Sequence, residues 1–163
     1  MQAVAALSRT LAVIFVLATT GLGIAGAEAD NGYPYPGTNV IGTAKSFDQL
    51  FNDLQAAVQA NNMGLVGRAS ASMGAARRGV KIPGNAVIGV YRNDFAVRML
   101  KASVPAGIEA PLRYYVTENP DGTASLTYRT PSAVFRPYAS AELDAMAAEL
   151  DVIFARIAAD AAR

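Results

Sequence analysis

The chain has 163 residues, 52% of them hydrophobic and 17% charged, with a formal net charge of +1. That suffices for one core of ordinary size, and the near-neutral balance supplies no global field drawing the protein to nucleic acid or an acidic surface. Cysteine, histidine and tryptophan are all absent, which excludes disulfide staples, thiol redox chemistry, Cys or His metal ligation and any histidine-based triad. Carboxylates, lysine, tyrosine, serine and threonine are left for catalysis, and no cofactor is expected.

The N-terminus has the layout of a secretory signal. Residues 11–27, "LAVIFVLATTGLGIAGA", carry no charge, follow Arg9 and lead into the small residues of "AEAD". A basic flank, an apolar stretch and a small-x-small site predict a signal peptide over 1–29, cut before Asp30, with a second site before Glu28. The alternative is an uncleaved membrane anchor, because about 17–25 apolar residues can cross a bilayer. Gly21, Gly23 and Gly26 and the small residues at its end favour cleavage, so the mature protein is expected in a bacterial periplasm or outside the cell, with no stable membrane insertion. The same stretch contains "GLGIAG", which has the spacing of a dinucleotide-binding fingerprint. That motif works only between a strand and a helix of a folded domain, and a removable leader is not one.

Residues 30–39, "DNGYPYPGTN", read as a loose leader, and 40–163 as a single domain. Residues 40–44 predict a first strand. In "SFDQLFNDLQAAVQANNMG", 46–64, Ser46 and Gln49 form a capping-box pattern, Asp48 suits the helix N-terminus, and Gly64 marks the stop. Phe47, Leu50, Phe51, Leu54 and Val58 fall on one helical face, the core face. Residues 65–69 predict a second strand, "SASMGAARRG" a short helical insert, and the apolar run "NAVIGVYR" a central third strand. Asn93 is the expected cap of a helix through "DFAVRMLKAS" that stops before Pro105.

"EAPLRYYVTENPDGTASLTYRT", 109–130, reads as a β-hairpin. Pro120 presets the first turn position and Gly122 takes the left-handed one, giving a type I turn with a glycine bulge and placing Asn119 opposite Thr123. Counting outward pairs Val116 with Leu126, Tyr114 with Tyr128 and Leu112 with Thr130 on an apolar face. On the other face Thr117 meets Ser125, Tyr115 meets Thr127, and Arg113 meets Arg129. The chain closes with an amphipathic helix from Ser140, whose Leu143, Met146, Leu150, Ile153, Phe154 and Ile157 share one side. Hairpin-paired strands with helices between them predict an α+β domain with a mostly antiparallel sheet.

The run from "NAVIGVYRNDF" through the Asp-Gly hairpin to "TPSAVF", with the first helix ending in "NNMGL" and the closing "AELDAMAAELDVIFARIA", resembles the bacterial domain-of-unknown-function family 302. The resemblance covers about 40–159. It implies a two-layer β-α-β4-α domain whose curved antiparallel sheet carries its helices on one face, related in shape to the TATA-binding-protein fold. It also implies a homodimer, and no established catalytic residues. Many members have an Asn-Pro pair after the third strand where this chain has "YRND".

The candidate site is the polar side of the hairpin: Arg113, Arg129, Tyr115 and Glu109. Like charges directly opposite one another repel, by an amount on the scale of about 0.2–1 kcal/mol. Three readings remain open at this stage. The face is wet and screened; Glu109, Asp94 or an acid from a second subunit lies between the arginines; or they grip a small anionic ligand with two forks suited to carboxylate or phosphate, Tyr115 forming a wall. Residues 68–113 hold eight basic residues against two acids, and 114–163 hold four against seven, which suits a basic patch or self-association. Basic residues are not interleaved with aromatics as in single-strand readers, so no nucleic-acid partner is expected. The leading functional expectation is an exported small binding or accessory module of the cell envelope. The alternatives are a small hydrolase-like enzyme using Glu109 and Tyr115, and a purely structural homodimer. "SASMG" lacks the lysine of a Ser-x-x-Lys motif.

Overall fold

The computed structural model describes residues 32–163. The signal-peptide expectation over 1–29 and the first part of the leader lie outside the described residues; among the described ones no helix is long and apolar enough to cross a membrane.

Among the described residues five strands and five α-helices follow one another: β1 (Thr38–Thr43), α1 (Phe47–Ala60), β2 (Gly64–Ala69), α2 (Ala71–Ala76), β3 (Asn85–Tyr91), α3 (Asn93–Ala102), β4 (Leu112–Glu118), β5 (Ala124–Arg129), α4 (Pro131–Phe135) and α5 (Ala141–Ala162), with 3-10 turns at Pro105–Glu109 and Arg136–Tyr138. The strands form one antiparallel sheet in the order β1-β5-β4-β3-β2. This is the expected α+β class, an open sheet with its main helices layered on one side.

Local chemistry explains most boundaries. Ser46 Oγ accepts from the Gln49 amide while the Gln49 side chain accepts from the Ser46 amide, so the capping box forms. Ser140 caps α5 by accepting from the Leu143 amide. Two expectations change. The first helix is ended by Asn61 and Asn62 rather than Gly64: Asn62 takes φ 56°, its amide donates to the Gln59 carbonyl, and Gly64 already belongs to β2. Asn93 is the first residue of α3 rather than its cap. Arg92 occupies the cap position without a side-chain cap bond, and its guanidinium holds Asp94 at 2.7 and 3.0 Å. The Asp94 carboxyl therefore stays below the usual carboxylate range, chiefly through the Arg92 bond.

The hairpin register agrees with the count outward from its turn. Tyr114 pairs with Tyr128, Tyr115 with Thr127, Val116 with Leu126 and Thr117 with Ser125. The Asn119 amide donates to the Thr123 carbonyl at 2.8 Å, and Gly122 has φ 83°. Because alternate residues face opposite sides, Tyr114, Val116, Leu126 and Tyr128 enter the core beneath α1 and α5. Tyr114 stacks on Phe154 at 4.9 Å between centroids, and its hydroxyl donates to the Phe154 carbonyl at 2.8 Å. Burial, then the neighbouring Tyr128, pushes this phenol well above its ordinary range. Arg98 of α3 meets Glu149 of α5 in a two-pronged ion pair at 2.8 and 2.7 Å, so part of the charge asymmetry along the chain closes within one molecule.

Candidate functional site

The side of the sheet opposite α1 and α5 carries the polar hairpin residues in rows. Across β1, β5, β4 and β3 one row runs Val40, Thr127, Tyr115 and Val87. The next row holds Thr38 opposite Arg129 and Arg113 opposite Gly89; the two arginines lie one step beyond the last β4–β5 pair, Tyr114 with Tyr128. A cavity of about 290 Å³ opens here, lined by all four residues singled out from the sequence, Arg113, Arg129, Tyr115 and Glu109. Tyr33 and Tyr35 complete it from the N-terminal side.

These two tyrosines fall in the stretch read as a leader. "YPYPG" places each before a proline, which disfavours helical backbone at both tyrosines, and the segment bends at Pro34 and Tyr35 and turns through Pro36 and Gly37 into β1. Tyr33 shares a hydrogen bond of 3.3 Å with Thr127 Oγ1, and the Tyr35 ring centroid lies 5.1 Å from the Arg129 guanidinium carbon. Thr127 is buried on what would otherwise be an open sheet face. Gly37, with φ 73°, carries the segment into β1, and its carbonyl accepts from the Thr130 amide at 2.8 Å.

Neither arginine forms an ion pair among the described residues. Arg129 donates through one terminal nitrogen to the Ala133 carbonyl at 3.3 Å, while its Nε is buried without a hydrogen-bond partner. Arg113 is exposed at the rim. Of the three readings, the one that sets Glu109 or Asp94 between them finds no such ion pair among the described residues. Asp94 belongs to Arg92, and Glu109, although it lines the cavity, accepts a hydrogen bond from the Tyr138 hydroxyl at 3.0 Å. Burial, then that bond, raises the Tyr138 phenol. The cavity thus has a cationic end, with the face of Tyr35 over Arg129 and the Glu109 carboxylate in the same lining, and walls of tyrosine, valine and leucine. Among the described residues no cluster of acidic side chains could hold a metal ion.

A single sheet of five antiparallel strands with helices layered against its core face defines a two-layer α+β domain of known type. Residues 40–161 match the model of the family described as domain of unknown function DUF302, and the chain belongs to that family. The crystal structure of an uncharacterized conserved DUF302 protein from Bacillus stearothermophilus superposes with a TM-score of 0.69 at 16% identity, covering 78% of this chain and 99% of that one. No curated protein matches the sequence.

Proposed function

We propose that this protein is an exported binding module of the cell envelope, dimeric in solution, whose cavity takes a small anionic ligand between Arg113 and Arg129. The observation that carries the reading is the pair of guanidinium groups at one end of the cavity, neither in an ion pair among the described residues, with the Arg129 Nε buried and without a partner. An unpartnered buried donor costs on the order of 1–3 kcal/mol. A carboxylate or phosphate between the two guanidinium groups supplies acceptors to their terminal nitrogens and relieves the cross-strand repulsion together. The hydrolase alternative has less support: Glu109 is engaged by Tyr138, and no second carboxylate lines the cavity, whereas glycoside hydrolysis uses a pair.

Thermal melting of the purified protein against phosphate, sulfate and carboxylates tests the reading. At least one anion is expected to raise the melting temperature by several degrees, less so at high salt, and the rise should disappear in Arg113→Gln and Arg129→Gln. If no anion matters and Arg113→Gln melts above the wild type, the two arginines merely repel one another.

Export rests on the charge-free segment after Arg9. The dimer rests on the family resemblance and on Val97, Leu100, Val104 and Ile108, which lie exposed along α3 and the turn after it. Protein recovered outside the cytoplasm of an expressing bacterium is expected to begin at Asp30 or Glu28 and to sediment as a dimer. A product retaining Met1 would count against export, and a monomer at all concentrations against the dimer.

A further inference from the structure

Resting on the anion-site reading above, we infer that the ligand is an organic carboxylate with a planar, ring-sized apolar body, in chemical class an aryl carboxylate, rather than an inorganic anion. Size is the first argument. A tetrahedral inorganic anion takes roughly the space of two or three waters at about 30 Å³ each, and the cavity offers about 290 Å³. Such an ion at the arginines would leave most of the volume to water held against Tyr33, Tyr35, Tyr115, Val87 and Leu112. Water in contact with apolar walls is displaced favourably by an apolar body.

The placement of charge is the second argument. Cationic groups stand in one row of the sheet, Arg129 and Arg113, and the adjoining row continues with Tyr115 and Val87. The cavity is therefore polarised along the strand direction, cationic at one end and aromatic beside it. A ligand matching both has one anionic head and a flat apolar remainder. The head takes the guanidinium forks, and the ring lies in offset or edge contact with the Tyr115 and Tyr33 side chains. Tyr35, already over the Arg129 guanidinium at 5.1 Å, keeps that fork turned within reach of the head.

Calorimetric titration of the purified protein with four probes, benzoate, benzamide, acetate and inorganic phosphate, separates the possibilities. Benzoate is expected to bind at least tenfold more tightly than each of the other three. Arg113→Gln should weaken benzoate about tenfold or more while leaving benzamide unchanged, and Tyr115→Ala should weaken benzoate while leaving acetate and phosphate unchanged. The comparison among probes on the wild-type protein stands even if a variant fails to fold. Phosphate or acetate binding as tightly as benzoate would overturn the aryl class and leave the anion site standing. Benzamide matching benzoate would overturn the role of the arginines, and with it both readings. Absence of heat from all four probes would also overturn both.

Discussion

Phe154→Ala is expected to lower the melting temperature by roughly 10–20 °C. Phe154 is fully buried, stacks on Tyr114 with the rings 13° from parallel, and lies 6.2 Å from the Tyr128 ring. Truncation removes the transfer energy of a phenyl ring and leaves a hole that the sheet on one side and α1 on the other close only in part, at a cost of about 3–5 kcal/mol. For a domain of this size each kcal/mol moves the midpoint by roughly 3–5 °C. Circular dichroism melting reads the change directly. A drop of only ~3 °C would mean that the three rings do not hold α5 to the hairpin. Tyr114 joins this cluster through the Phe154 backbone carbonyl, a bond the substitution leaves available, so the loss should come from packing rather than from a stranded hydroxyl.

The second large effect is expected at Gly37. Its φ of 73° lies in the left-handed region, where a side chain costs about 1–2 kcal/mol. An added Cβ would also overlap the Ala133 methyl and come within 2.7 Å of Thr130 Oγ1, an overpacking cost of about 1–3 kcal/mol. The inexpensive escape is to lift the segment ahead of β1 away from α4. Gly37→Ala should therefore lose benzoate binding and expose the Thr130 amide, whose acceptor is the Gly37 carbonyl, to rapid hydrogen exchange, while the sheet remains folded. Unchanged exchange at Thr130 together with unchanged binding would show that the segment does not depend on this contact.

Local signals in the chain were sufficient wherever the structure is locally determined. "NPDG" sets the β4–β5 register because the turn geometry admits one pairing, and that register places Arg113 and Arg129 one step beyond the last pair, Tyr114 with Tyr128. Ser46 and Ser140 are readable as caps for the same reason: donor and acceptor are three residues apart. Contacts between distant parts were not legible. Glu109 is bonded by Tyr138, 29 residues on, a pairing that no spacing rule announces, although Glu109 lies in the same cavity as the arginines. The short helix α4 carries only five residues, too few for helical periodicity to register. Its start is nevertheless marked by Thr130, which accepts from the Ala133 amide, and by Pro131 in the first turn. Tyr33 and Tyr35 are masked in the sequence because proline, glycine and asparagine around them carry the composition of a linker. The available signal is the repeat of tyrosine before proline, which keeps both tyrosines out of helical backbone and stiffens the strap.

That strap separates two boundaries usually taken as one. The family match begins at residue 40, and the core residues of the sheet and helices lie beyond it, whereas three residues lining the cavity, Tyr33, Tyr35 and Thr38, come before. A chain trimmed to the family boundary would keep the hydrophobic core and lose one wall of its cavity. On the proposed reading the stretch needed for recognition is longer than the stretch that carries the core, and an affinity screen run on the trimmed domain is expected to miss the ligand.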